Sequence, residues 1–251
     1  MSPAPRAVAV ALGALALAGG LSTCGDDDGG GGAATLPQGA ERVELDPSEF
    51  TTTIDNPYWP MVPGSRWVYR ETDGEGGVLR DVVTVERRTK RIANGIEARV
   101  VHDVATEDGE KVEDTFDWYA QDAHGNVWYL GEDTKEYEHG RVTSTEGSFE
   151  AGRDGAQAGV VVPSHPRVGL SYRQEQYAGH AEDRARVFSL DEQAEVPLGH
   201  FTGVLATRES NPLEPKVLEY KLYARGIGPV LALTVSGGRD REELVSYRRG
   251  G

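Results

Sequence analysis

The chain has 251 residues, 38% of them hydrophobic and 27% charged, with a formal net charge of −15. That balance supplies a buried core and excludes a disordered chain. So acidic a surface repels phosphate backbones and anionic headgroups, which excludes nucleic acid and direct electrostatic docking on a membrane, and the single cysteine excludes an internal disulfide.

Taken in chain order, residues 1–23 come first. Arg6 is their only charge, and AVAVALGALALAGGL from Ala7 to Leu21 carries no polar side chain. The run is short for a bilayer span of about 20 residues and has the charged start and apolar middle of a secretory signal. LSTC, residues 21–24, follows and resembles the lipobox of bacterial lipoproteins, in which the cysteine is diacylated and becomes the first residue of the mature chain; Thr23 stands where Gly, Ala or Ser is usual. The resemblance implies a protein anchored through Cys24 on the extracytoplasmic face of the bacterial cell membrane, since two acyl chains hold a protein there stably. GDDDGGGGAATLPQGAERVE (25–44) has almost no large apolar side chains and reads as a disordered Gly/Asp-rich tether, with Asp26, Asp27 and Asp28 a solvated charge run.

From Leu45 to Gly251 the text has a period of two and is cut by Gly-containing turns at short intervals, the mark of a single β domain. RWVYRET (66–72) leads to DGEGG, VLRDVVTVERRTKRI (78–92) leads to Asn94-Gly95, and IEARVVHDVATED (96–108) places Ile96, Ala98, Val100, His102 and Val104 on one side of a strand. Strands joined by tight turns must be antiparallel. The expected fold is all-β, an antiparallel meander curled into an open or partly closed barrel, with a two-sheet β-sandwich as the alternative. AGRDGAQAGVVVPSHPRVGL (151–170), rich in Gly and Pro, is expected to be a long ordered loop that covers something, a lid.

WYAQDAHGNVWY (118–129) sets Trp-Tyr pairs on either side of a polar loop. A three-residue loop of Ala123, His124 and left-handed Gly125 pairs Tyr119 with Tyr129 and puts Trp118, Ala120, Trp128 and Leu130 on the other face. Aromatics on both faces mean that both are covered. Turn chemistry accounts for Asp122, His124 and Asn126; an acid–base site using Asp117, Asp122 and His124 is the catalytic alternative. The six histidines never fall at i, i+2 or i, i+4 spacing, so no metal is expected, His180, Glu182 and Asp183 being the nearest local seed. No nucleophile elbow, phosphate loop or zinc motif is present, and no cofactor is implied.

NPYWPMVPGSRWVYR (56–70), EVPLGHFTGVLAT (195–207) and YARGIGPV (223–230) together resemble a pattern found in exported β-rich bacterial lipoproteins of no assigned activity. At fold level that group is similar to the open β-barrels of lipoprotein carriers and lipid-binding envelope proteins, which implies a curled sheet cupping an apolar cavity. The leading expectation is therefore a non-catalytic binding or accessory module whose concave face, drawn from Trp67, Tyr69, Trp118, Tyr119, Trp128, Tyr129, Tyr172, Tyr220 and Tyr223, takes an apolar ligand. Two alternatives stand beside it: a secreted hydrolase of cell-wall or glycan material, and a structural or sensory ectodomain that meets another envelope protein through a sheet edge.

Overall fold

The computed structural model describes residues 36–251. The leader, Cys24 and the first part of the tether lie outside the described residues. After a 3-10 turn at Pro47–Glu49 come β1 (Phe50–Thr51), β2 (Arg66–Thr72), β3 (Val78–Arg91), β4 (Glu97–Glu107), β5 (Glu110–Asp122), β6 (Val127–Glu138), β7 (Arg141–Ser144) and β8 (Phe149–Glu150). The second half adds β9 (Gln157–Val162), β10 (Ser171–Arg173), β11 (Glu175–Gln176), β12 (Arg184–Val196), β13 (Gly199–Ser210), β14 (Leu218–Ala224), β15 (Gly228–Ser236) and β16 (Arg241–Arg248). All pairings are antiparallel, and the order across the sheet runs β10, β12, β13, β14, β15, β16, β2, β3, β4, β5, β6, β9, β11.

The sheet curls into a nearly closed barrel with one unsealed seam, which sets the sandwich alternative aside. Its two end strands are β10 and β11, and only Gln174 separates them in sequence. One bent segment therefore edges both sides of the seam. Fully buried Arg173 fills the gap, donating from Nε to the Ala158 carbonyl at 3.3 Å and from Nη1 to the Gly39 and Glu41 carbonyls at 2.6 and 2.5 Å. Its own N–H reaches the Pro37 carbonyl at 2.7 Å. Residues 36–44 thus lie against the barrel wall, ahead of the domain start at 45 expected from composition. Low hydrophobicity hides such a segment because main-chain carbonyls do much of the holding, helped by buried Leu36 and by Gln38 Nε2, which donates to the Ser171 carbonyl.

Segment 151–170 is built differently from the expected loop. Its centre is β9, paired with β6 and β11, and Ala158, Val160 and Val162 are buried in the wall. A short apolar run flanked by Gly and Pro reads equally as a loop or as a strand buried on both faces. Gly159 in this strand is required: a Cβ there would lie 2.4 Å from the Gln174 carbonyl carbon.

The end of the barrel bearing the β5–β6 and β14–β15 turns is closed by the stretch between β1 and β2. Ile54, Tyr58 and Met61 are buried in it. Asp55 and Asn56 both donate backbone N–H groups to Gln121 Oε1, and Asn56 Nδ2 donates to the Gly125 carbonyl at 2.9 Å. The Gly226 N–H donates to the Pro57 carbonyl at 2.7 Å. Three prolines among residues 57–63 keep this plug out of the ladder.

Replacing Gly159 by Ala forces β9 away from the seam, and overpacking of this kind costs about 1–3 kcal/mol. The expected outcome is a melting temperature lowered by roughly 5 °C or more, measured by circular dichroism.

Candidate functional site

The opposite end of the barrel, where the β2–β3, β4–β5 and β6–β7 turns lie, is open. It leads to a cavity of about 380 Å³. Inner positions on each wall strand follow the period of two, and their chemistry changes with depth. Trp59 of the plug forms the floor with Tyr119, their rings 5.4 Å apart, and Tyr69, Val83 and Val101 continue the apolar wall. Gly228 makes room for that indole, since a Cβ would lie 2.6 Å from Trp59 Cδ1.

Nearer the mouth the same faces carry carboxyl groups. Glu242 of β16 lies directly opposite Glu71 of β2, Asp81 of β3 sits opposite Tyr69 and so diagonal to Glu71, and Asp103 of β4 is diagonal to Asp81. Glu113 and Glu136 oppose each other on β5 and β6. Direct cross-strand neighbours are about 4.5–5.5 Å apart and diagonal ones about 7–8 Å. The result is an acidic belt around the inner wall. Lys221 of β14 is the cation that lines the cavity beside it, but its Nζ is already 3.2 Å from Glu209 Oε2. At the rim, Lys111 is held by Asp114 at 2.6 Å.

Burial sets the protonation of the belt. It pushes the Glu71 carboxyl up to about 8, with the Glu242 charge adding to it. Burial likewise takes Asp81 to about 7 and Glu242 to about 7, and drives Asp103 well above the carboxylate range with help from the Asp81 charge. Glu71 and Asp81, 8% and 7% exposed, each keep one carboxyl oxygen without a hydrogen-bond partner among the described residues. Deeper along the wall, burial also raises Asp117, Glu132, Glu175 and Asp183. The Tyr129 hydroxyl donates to Asp117 Oδ1 at 2.8 Å.

The aromatic residues expected at the site separate into groups. Tyr69 and Tyr119 line the cavity. Tyr129 stacks behind Tyr119 with centroids 5.0 Å apart, and the two are in register as the hairpin reading requires. Tyr223 is buried next to the floor, 6.2 Å from Trp59, and Tyr172 is buried with its hydroxyl unpartnered among the described residues. Trp67 is buried against Tyr247 and donates from Nε1 to the Ile227 carbonyl at 2.9 Å. Trp118, Trp128 and Tyr220 face outward. Lys90 Nζ lies 3.1 Å over the Trp118 ring, Phe50 meets Trp128 edge-on at 6.0 Å, and Tyr220 stacks on half-exposed Phe188 at 5.3 Å.

Asp122 is a turn cap. Its Oδ1 accepts from the His124 and Asn126 N–H groups at 3.0 and 2.8 Å, and its Oδ2 from Asn126 Nδ2 and Trp128 Nε1, both at 2.8 Å. His124 is exposed at the tip, so of the catalytic trio only Asp117 reaches the cavity. His180 stacks on Tyr177, Glu182 accepts from the Gly179 N–H, and Asp183 turns toward Glu175. Among the described residues no group of three His, Cys, Asp or Glu side chains is placed to hold a metal ion.

No protein-family model matches the chain. A comparison with curated proteins finds no match. Among solved structures the chain is similar to a "putative lipoprotein" from Parabacteroides distasonis ATCC 8503, a β-rich protein, with 11% identity and a TM-score of 0.42 over 76% of this chain and 98% of that one.

A carboxyl whose folded pKa is raised contributes stability that is fully present below its unfolded value near 4 and is lost as pH rises through the folded value. For Glu71 and Asp81 that window runs from about 4 to about 7–8. The melting temperature is therefore expected to fall by roughly 5–10 °C between pH 5 and pH 8.5, a loss on the order of a few kcal/mol. The double variant Glu71→Gln, Asp81→Asn, neutral at those two positions at every pH, should reduce this fall, leaving the share of Glu242, Asp103, Asp117 and Asp183, and melt above the parent at pH 8.5.

Proposed function

We propose that the protein is a lipid-anchored, extracytoplasmic binding module that receives one small molecule in its barrel and catalyses nothing itself. The observation that carries this reading is the cavity: about 380 Å³, open at one end and walled by a nearly closed sheet over an aromatic floor. Its size falls within the range of about 300–1,000 Å³ usual for small-molecule sites. The LSTC motif supports the anchor, with Cys24 as the lipidated residue. An apolar body on the ligand suits Trp59, Tyr69 and Tyr119.

A hydrolytic reading keeps one observation in its favour, the raised carboxyl of Asp117 inside the cavity, in the state a general acid needs. If it acted so, Asp117→Asn would abolish turnover of a glycan substrate while leaving its binding intact.

Native mass spectrometry of the full chain purified from its host is expected to show one small molecule that survives desalting, and a chain carrying none would count against the cavity as a binding site. Cys24→Ser is expected to move the protein from the membrane fraction to the soluble fraction or to leave an unprocessed precursor. Unchanged fractionation would remove the anchor.

A further inference from the structure

We propose that the ligand of this cavity is an organic cation, an aliphatic amine whose ammonium group sits against Glu71 and Asp81 while its alkyl stem lies on the Trp59–Tyr119 floor. This rests on the reading of the cavity as a small-molecule site and adds the class of molecule.

The argument begins with hydrogen bonds left unmade. A buried polar atom without a partner costs about 1–3 kcal/mol, more for a charged group. Glu71 Oε1 and Asp81 Oδ1 both stand in that condition, more than nine-tenths buried and on residues that line the cavity. The two oxygens belong to diagonal neighbours on adjacent strands, residues about 7–8 Å apart along the cavity wall. An ammonium supplies three donors and a positive charge.

Like charge supplies the second step. Glu242 and Glu71 are directly opposite each other, an arrangement that destabilises a sheet. The nearby lysine relieves it only in part: the Lys221 charge works against burial at Glu242, but its Nζ is paired with Glu209 and it lies three strands from Glu71, with Ala232 and Glu242 between them in register. Burial shifts these carboxyls toward their protonated forms, Asp81 and Glu242 to about 7 and Glu71 to about 8. A bound cation would take over from those protons.

The surroundings select among cations. Asp73, Glu107, Glu110 and Glu138 stand at the mouth, and a cleft lined by one sign of charge focuses its field on ligands of the other. The floor offers ring faces and aliphatic side chains, which suit a stem and not a hydrated ion. Metal-type clustering of three acidic or imidazole groups is absent among the described residues.

The test uses the full chain and two probes that share a stem, hexylamine and hexan-1-ol, titrated at pH 7.5 by calorimetry and by indole fluorescence. Hexylamine is expected to bind one to one and at least tenfold more tightly than the alcohol. Glu71→Gln with Asp81→Asn should bring the two affinities together while the chain stays folded by circular dichroism, and Glu242→Gln, on the neighbouring strand, should narrow the same gap. Equal affinity for amine and alcohol in the parent chain would overturn the cation and leave the small-molecule cavity standing. Binding of neither would overturn both. Calcium or magnesium chloride displacing the amine at lower concentration than hexylamine itself binds would place the site in the metal class and overturn the proposal.

Discussion

Carboxyl groups that face each other across the inside of a closed sheet cannot all be charged, and this constraint governs the upper half of the barrel. Taking a carboxylate out of water costs several kcal/mol unless a cation and hydrogen bonds compensate. Here Glu242, Glu71, Asp81 and Asp103 occupy four successive wall strands, and Lys221, paired with Glu209, offsets only part of the Glu242 charge. Burial eases the conflict by raising Glu71 to about 8 and Asp81 and Glu242 to about 7.

Stability must then come from the other half. The plug residues Ile54, Tyr58 and Met61 and the buried rings of Trp67, Tyr172 and Tyr223 belong to one core cluster, against which the Trp59 indole packs. Arg173 performs the matching task at the seam, where its guanidinium satisfies carbonyls that an open edge would leave bare. The two devices share a source, since the chain passes first along the seam at residues 37–41 and then across the floor at 54–61 before it enters the barrel. A packed floor and a sealed edge together hold strands whose mouth ends carry repulsion.

Much of this architecture is legible in the sequence. Period-two text with tight turns implies an antiparallel meander, and the 118–129 hairpin forms in the register that Gly125 and Asp122 dictate. The inner wall was harder to see. In β4 the even positions, Ala98, Val100 and His102, look like the core face, yet the cavity face is Val101, Asp103 and Ala105, and His102 stacks outside on Phe116. A wall covered on both sides removes the contrast on which such a choice depends. RWVYRET did carry the signal, since Trp67, Tyr69 and Glu71 share one phase. A carboxyl in phase with two aromatics marks a face that is enclosed yet polar. Trp59 was missed because it precedes the strand, in a stretch whose prolines read as a turn.

The spacing of the acidic belt bears on what it can hold. Calcium needs about six to eight oxygens at 2.3–2.6 Å around one point, which requires side chains converging from a loop or a few adjacent positions. The belt carboxyls are spread over several strands of a curved wall, and Asp81 and Asp103, which hydrogen-bond to each other, meet only as a pair. Such an arrangement suits a donor group with several hydrogens and an apolar stem, and Trp59 and Tyr119 offer that stem a ring-lined floor. Depth-graded chemistry along one alternating pattern is thus how a sheet with a single inner face presents a polar and an apolar contact to the same small molecule.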